Sequence, residues 1–451
     1  MIWNAPRPHR SIARSLMAKA PSSCCKGSMI SSAMLLNCAP PIWRSGCRTS
    51  AAPGRMRPMA EVWFRAHHSD FRRALGMVMG AVDFGSTIPI LGHVMFSVAD
   101  DVLVLRASNL DLQVDAECEV FESVGHASFC LPGDRLKALS SSLPESGEII
   151  FGSGRFNDQV SIRSGKANLS IPFLPAQDFP CIGTGDGADW YDVDGNELSR
   201  GISNASFAFN KRDDRAYLAG MCFHASKIGK HEVLTLVATD GISLARIHCP
   251  AIPEPRLPER RYSYPHVIVP PRAVDSLRKM FDGALRGCSL ATSDALIMAR
   301  RDGVTMISKL IDGTYPGYEG VISPTRTQFV EAATVELTAA VRRVNIVIDD
   351  QKHDAMRVVV TSSGIQLDLV GETGGIAVEE VACEVSAPID FQVGINGAQL
   401  LKLLSSIGTD RVRIYFTDAA TPIVIVPVGI ETDIFVLQVM RFRSVPGREA
   451  Q

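Results

Sequence analysis

The hydrophobic pattern of this chain repeats. Three stretches each read as a short strand, a turn and an amphipathic helix: 129–139 (FCLPGDRLKAL), 267–277 (VIVPPRAVDSL) and 391–401 (FQVGINGAQLL), about 125–140 residues apart. Their apolar residues fall at helical spacing, as Leu136/Leu139/Leu143, Val274/Leu277/Phe281 and Leu400/Leu404/Ile407. Pro132 and Pro270–Pro271 stand where a helix can begin without losing a hydrogen bond. Each helix runs on into a predicted strand: 148–151, 288–292 and 411–416.

A second helix precedes each of these units, beginning near Ser69, Asn196 and Glu336. Its apolar faces are Phe71/Leu75/Val78/Val82, Leu198/Ile202/Phe209 and Leu337/Val341/Val344. Between the two helices lie strand pairs: 102–105 with 112–118, 233–238 with 243–248, and 365–370 with 377–385. Ser108-Asn109, Asp240-Gly241 and Gly374-Gly375 supply the turns. The expectation is an α+β fold of three tandem repeats, each with two helices and antiparallel sheets. Boundaries fall at the glycine-rich 183–187 and near Ser323-Pro324, giving domains 59–185, 186–322 and 323–443, with a tail at 444–451.

Composition adds three points. The 451 residues are 46% hydrophobic and 21% charged, ordinary for a soluble globular chain, and no apolar run approaches the roughly 20 residues of a membrane helix. Residues 1–58 hold nine of the 46 Lys and Arg and no Asp or Glu, which leaves the remainder with 37 basic against 48 acidic side chains, a net of −11. That opening segment reads as disordered or as an upstream stretch before a true start at Met56 or Met59, with a transit peptide or a basic DNA-binding arm as alternatives. The eleven Cys show no CxxC pair and no regular spacing, so they read as free thiols of a reducing cytoplasm. No metal site and no cofactor are expected.

Catalytic signals are thin. There is no GxxxxGK[ST] loop and no HExxH. The acid pairs Asp213-Asp214 and Asp349-Asp350 leave a metal-dependent DNA hydrolase as an alternative, though adjacent acids suit a solvated turn, and Asp240 suits a turn rather than a base.

Several strings then follow one another in a set order: TIPILG at 87–92, Ser164-Gly165 with LPAQDFP at 174–180, RAYLAG at 215–220, VATDG at 237–241 with Leu244-Ala245, VIVP at 267–270, LIDGTYP at 310–316 and VLQVMR at 436–441. Over about 60–443 the chain resembles the bacterial DNA polymerase III beta subunit family. The resemblance implies a non-catalytic processivity factor. Two three-domain subunits would join head to tail into a ring of six domains that encircles double-stranded DNA without sequence preference.

It implies DNA-facing cations on the helices, Arg72, Arg73, Arg135, Lys137, Arg200, Arg272, Arg278, Lys279, Arg342, Arg343 and Lys402, with Lys211, Arg212, Arg215 and Tyr217 on a DNA-touching segment. Gly85 departs from the Arg that relatives often carry there. It implies a dimer interface through Leu169 and Ile171 of the first domain and Ile346 and Val347 of the third. It implies that the replicative polymerase and clamp loader dock by short linear peptides in a groove formed by Leu218, Thr239, Gly241, Ile242, Leu244, Val436, Leu437, Met440 and Arg441. Ile242-Ser243 and Gln438-Val439 depart from the family's usual pairs, so a specialised or degenerate paralogue stays open.

Overall fold

The computed structural model describes residues 62–144, 146–183, 190–210, 214–249, 266–284, 287–322, 327–349, 354–361, 364–386 and 391–443. All belong to one compact unit beginning at Pro58. The expectations for 1–58 and for the tail 444–451 lie outside them.

The first repeat contains β1 (Val62–His67), α1 (His68–Val78), β2 (His93–Ala99), β3 (Val102–Ser108), β4 (Leu112–Glu119), β5 (Ala127–Pro132), α2 (Gly133–Ser142), β6 (Glu148–Ser153), β7 (Gln159–Ser164), β8 (Ala167–Pro172) and β9 (Leu174–Pro175). The second contains β10 (Trp190–Asp192), α3 (Gly195–Ala205), α4 (Ala216–Ala219), β11 (Met221–Ile228), β12 (His231–Thr239), β13 (Ser243–Cys249), β14 (Val267–Val269), α5 (Pro271–Phe281), β15 (Ser289–Thr292), β16 (Leu296–Arg301) and β17 (Val304–Lys309). The third contains β18 (Gln328–Ala333), α6 (Thr334–Val344), β19 (Met356–Thr361), β20 (Gly364–Val370), β21 (Ile376–Ala382), β22 (Glu384–Val385), β23 (Phe391–Ile395), α7 (Gly397–Ser406), β24 (Arg411–Phe416), β25 (Ile423–Pro427), β26 (Ile434–Leu437) and β27 (Val439–Met440).

The six long helices among the described residues form where the 3.6-residue period predicts them, and local chemistry starts three of them. Asp194 accepts from the Glu197 N–H to cap α3, Asn396 does the same for α7 through Gln399, and Pro271 opens α5. Their apolar stripes are buried: Phe71 and Leu75, Leu198 and Ile202, Leu337 and Val341, Leu136, Leu277 and Leu404 are all 0–1% exposed. In the first repeat the stripe meets a group of stacked and tilted rings, with Phe64–Phe151 at 4.8 Å and Phe96–Phe129 at 5.0 Å between centroids.

Among the described residues, two of the four sheets are shared between repeats. One runs β10-β15-β16-β17-β4-β3-β2-β5-β9, crossing from the second repeat to the first where β17 pairs β4 from Val304↔Ala116 to Ser308↔Leu112. The other runs β14-β11-β12-β13-β26-β25-β24-β18-β22, crossing to the third where Ser243↔Leu437 through Arg246↔Ile434 join β13 to β26. The end sheets, β1-β6-β7-β8 and β21-β20-β19-β23-β27, belong to the first and third repeats alone. The helices also touch across the repeats, in the order α2, α1, α5, α3, α7, α6, each against the next.

Candidate functional site

The helix row carries the predicted cations, and the structure divides them. Arg73, Arg135, Lys137, Arg278, Arg342 and Lys402 are exposed and have no carboxylate partner among the described residues. Others are occupied. Arg72 donates to the Leu143 carbonyl at 2.6 Å, and Lys279 donates to the Gly76 carbonyl across the α5–α1 contact. Burial, then the neighbouring Arg278, holds the Lys279 ammonium below its ordinary range. Arg272 lies 3.6 Å from Asp83. Arg343 forks onto Glu379 of β21.

Arg200 is the most heavily engaged of these cations. It bonds Glu197 at 2.9 Å and the fully buried Asp433 at 2.6 Å, just before β26. Burial pulls this guanidinium down, but the two carboxylates more than offset it and leave it above its ordinary value. Its single positive charge is shared between two carboxylates of its own chain, and the bond to Asp433 pins the second repeat to the third. Lys211 and Arg212 lie outside the described residues.

The outer edges of the end sheets form a second feature. The β8 edge is exposed except at Ile171, and Leu169 on the same face is 36% exposed. The expected pair therefore splits: Ile171, 5% exposed, belongs to the core, because its stretch of the face is covered, while Leu169 lies where the cover ends. At the other end, Ile376 and Val378 of the β21 edge and Ile346 at 78% are exposed, while Val347 is half-buried against the core. Arg163 and Lys166 flank the first edge, and Glu379 and Glu380 lie on the second.

The third feature lies at the β13–β26 seam. Strand alternation sends Met221, Leu236 and Ala245 toward the helices and Cys222, Val237 and Leu244 to the opposite face. There they cluster with Ile268, Tyr315, Tyr318, Val424 and Val436, while Tyr217, Ile311, Val321 and Tyr415 close over them half-buried. The turn between β12 and β13 forms one rim. Asp240 Oδ1 accepts from the Ile242 and Ser243 N–H groups at 2.9 and 2.6 Å, and Thr239 Oγ1 accepts from Gly241 N at 3.1 Å and donates to the Ser243 carbonyl. Gly241 has a φ of +88°, a conformation that side chains resist. Burial raises the Asp240 carboxyl above its ordinary range, against the pull of these N–H donors.

Beyond β26 the chain bonds this turn, with Gln438 N donating to the Ile242 carbonyl at 2.9 Å, and continues as β27, where Met440 is half-buried, to the exposed Arg441. Of the groove residues expected from the sequence, Leu244 and Val436 are buried in this cluster, and Leu218 and Thr239 are also buried. Leu437 does not join them, because the residue after Val436 in the strand turns to the other face and packs in the helix-side core. Gly241 and Met440 are half-buried, and Ile242 and Arg441 are exposed. Arg215 and Tyr217 are on this side too. Arg215 donates to the Asp240 carbonyl at 3.3 Å, and Tyr217 packs on the cluster. The sequence reading missed Tyr315, Tyr318 and Val321, which the aromatic string after Leu310 could have signalled.

Three family models cover most of this frame: the DNA polymerase III beta subunit N-terminal domain matches residues 62–183, the central domain 192–317 and the C-terminal domain 321–439. The chain belongs to the DNA polymerase III beta subunit family.

Curated members of the family are similar along nearly their whole length. The beta sliding clamp of Caulobacter vibrioides is 29% identical over 360 residues, 78% of this chain and 93% of that protein. That of Escherichia coli K12 is 26% identical over 378 residues, 84% of this chain and 99% of its own. The crystal structure of the Caulobacter crescentus beta sliding clamp aligns with a TM-score of 0.76 at 28% identity, covering 84% of this chain and 99% of that one. The beta subunit of Thermotoga maritima, at 21% identity and a TM-score of 0.75, shares the fold. Among the described residues no group of three or more His, Cys, Asp or Glu is arranged to hold a metal ion. No helix among them is long and apolar enough to cross a membrane.

Proposed function

We propose that two copies of this chain join head to tail into a closed sliding clamp around duplex DNA, a processivity factor that tethers the replicative polymerase and does no chemistry itself. One observation carries the reading. The two end sheets, one in the first repeat and one in the third, each present an open edge strand, and the two edges differ from each other. The β8 edge carries Leu169 beside basic side chains, and the β21 edge carries Ile376 and Val378 beside acidic ones. An unpaired edge is a template for another strand. Two unlike edges favour a heterologous contact, which closes into a ring when the rotation allows. The contact would use Leu169 and Ile346, with the Arg343–Glu379 pair beside it.

In that ring the helix row faces the phosphates. Arg73, Arg135, Lys137, Arg278, Arg342 and Lys402 supply salt-dependent attraction that carries no sequence information, as sliding requires. Partners dock by an extended apolar peptide in the groove between the second and third domains, whose boundaries we assign as 59–185, 186–322 and 323–443. The exposed Ile242 and the polar Gln438 at the rim support a second reading, a specialised paralogue with its own peptide preference.

The hydrolase alternative has less support. Asp213 and Asp350 lie outside the described residues, and Asp349 accepts from the Thr373 N–H and hydroxyl at 2.8 Å, as a turn residue does.

The test is retention. A dimer loaded on nicked circular DNA stays bound through gel filtration in moderate salt and runs off once the circle is linearised. Equal release from both topologies would remove the clamp reading.

A further inference from the structure

One side of the partner groove is far more firmly built than the other. The β13 side is a long strand hydrogen-bonded on both flanks, by β12 and β26. The opposite rim, β27, is two residues long and joins its sheet only through Ile395↔Val439 and Gly394↔Met440. Two pairings at the end of a sheet fray unless something beyond them is fixed.

The next two residues supply that fixing. The Phe442 ring lies 5.5 Å from the guanidinium of Arg357. Arg357 is buried, held by Gln392 Oε1 at 2.8 and 3.1 Å and by the buried Asp368 at 3.4 Å. Arg443 donates to Asp354 Oδ1 and to Glu372 Oε1, both at 3.1 Å. Asp354 is fully buried, and its other oxygen accepts from the Asp349 N–H at 2.9 Å. The chain therefore leaves the groove straight into an aromatic-cation contact and an ion pair whose acidic member is buried. Gly394 makes this route passable: a Cβ there would press into the Met440 carbonyl oxygen and come within 3.0 Å of Phe442 Cδ1.

We propose that Phe442 and Arg443 are positioning residues for the partner groove, holding the backbone of Met440 and Arg441 in the geometry that an apolar peptide meets. The inference rests on the groove reading above and deepens it. Neither residue touches the peptide. They act by removing, before binding, freedom that a loose rim would lose on binding. Met440 is well suited to such a rim, because its flexible thioether adapts to the ligand while its backbone stays put.

The experiment is a titration of a fluorescein-labelled short peptide carrying adjacent Leu and Phe with the full-length chain, read by fluorescence anisotropy. Phe442→Ala with Arg443→Ala should weaken binding on the order of tenfold, through a faster off-rate. The sedimenting species and retention on circular DNA should stay at wild-type values, while the thermal midpoint falls because the buried Asp354 loses its ion-pair partner. Phe442→Ala alone, which leaves that pair intact, should weaken the peptide in the same direction at an unchanged thermal midpoint. Phe442→Tyr, which keeps the ring, should restore affinity. Gly394→Ala reaches the same rim from the sheet side and should weaken the peptide in the same way. Unchanged affinity in the double variant overturns the inference, and so does a Phe442→Ala variant that loses affinity only together with thermal stability. If the wild-type chain retains circular DNA but ignores the peptide, the groove reading falls and takes this inference with it.

Discussion

Arg200 and Lys402 read alike as cations off the apolar stripe of a helix, yet they carry different loads. Arg200 faces a carboxylate that is entirely cut off from water. Removing the guanidinium strands Asp433 as a buried charge, which costs about 3–5 kcal/mol. Arg200→Ala should therefore lower the thermal midpoint sharply while leaving the salt dependence of DNA retention unchanged. Lys402→Ala with Arg342→Ala should do the reverse, cutting the slope of log K against log salt by about 2 with little change in stability. Sequence periodicity could place both residues outside the core, but it could not show that residue 433 closes on residue 200, since that depends on a strand register set far along the chain.

His248 is legible only in three dimensions too. Its ring nitrogens are buried without a hydrogen-bond partner, in register with Thr235 and His224 on the adjoining strands. Burial, then Arg246 and His224, pushes it down from 6.5 to about 4. The unfolded ring takes up a proton near pH 6.5 and the folded ring only near 4. The stabilisation is thus whole above pH 6.5 and drains away as the pH falls toward 4, by about 1–2 kcal/mol after allowance for the part-exposed ring. Thermal melts at pH 7.5 and 5 should show a smaller pH-dependent drop for His248→Gln than for the wild-type chain.

Among elements, the turns show how closely two repeats copy each other. In the second repeat Asp240 Oδ1 accepts from the N–H groups two and three residues on. In the first, Asn109 Oδ1 accepts from Asp111 N at 3.1 Å and Leu112 N at 2.7 Å. Ser108 Oγ accepts from Leu110 N as Thr239 Oγ1 does from Gly241 N. Leu110 therefore stands where Gly241 stands, with a φ of +74° against +88°. Asn109→Ala should cost about 1–2 kcal/mol by leaving those donors unpaired. Leu110→Gly should be near neutral in urea unfolding, because the relief of left-handed strain offsets glycine's added chain entropy.

The Ser108-Asn109 and Asp240-Gly241 signals predicted both turns. Nothing in the sequence marked Leu110 as left-handed, since a leucine there contradicts its own preference. The helices were the most legible elements, because a 3.6-residue stripe survives in short segments. β1 went unread, because its place beside β6 is set by long-range pairing.

At the scale of the whole molecule, the three-unit plan was visible as a repeat, but the knitting of units into common sheets was not. The pairing of β17 with β4 joins segments nearly two hundred residues apart, and no local pattern encodes it. The same plan locates the weak point. Leu169→Asp puts a charge in place of the large apolar side chain that the β8 edge exposes, while leaving Ile171 in its core. Sedimentation should show the mass halved to that of a single chain, with a thermal midpoint close to the monomer's own. A variant that still sediments as a dimer would place the contact elsewhere.

The seams at β17–β4 and β13–β26 have a mechanical meaning. Each is a ladder of backbone hydrogen bonds reinforced by helices touching behind it, so bending the chain there means unzipping a sheet. A hoop made of two such chains has six joints, and four of them are stitched. Whatever prises it apart to admit a closed circle of DNA must work at the remaining two, where only unlike edges of separate molecules meet. A latch belongs where a hinge cannot form.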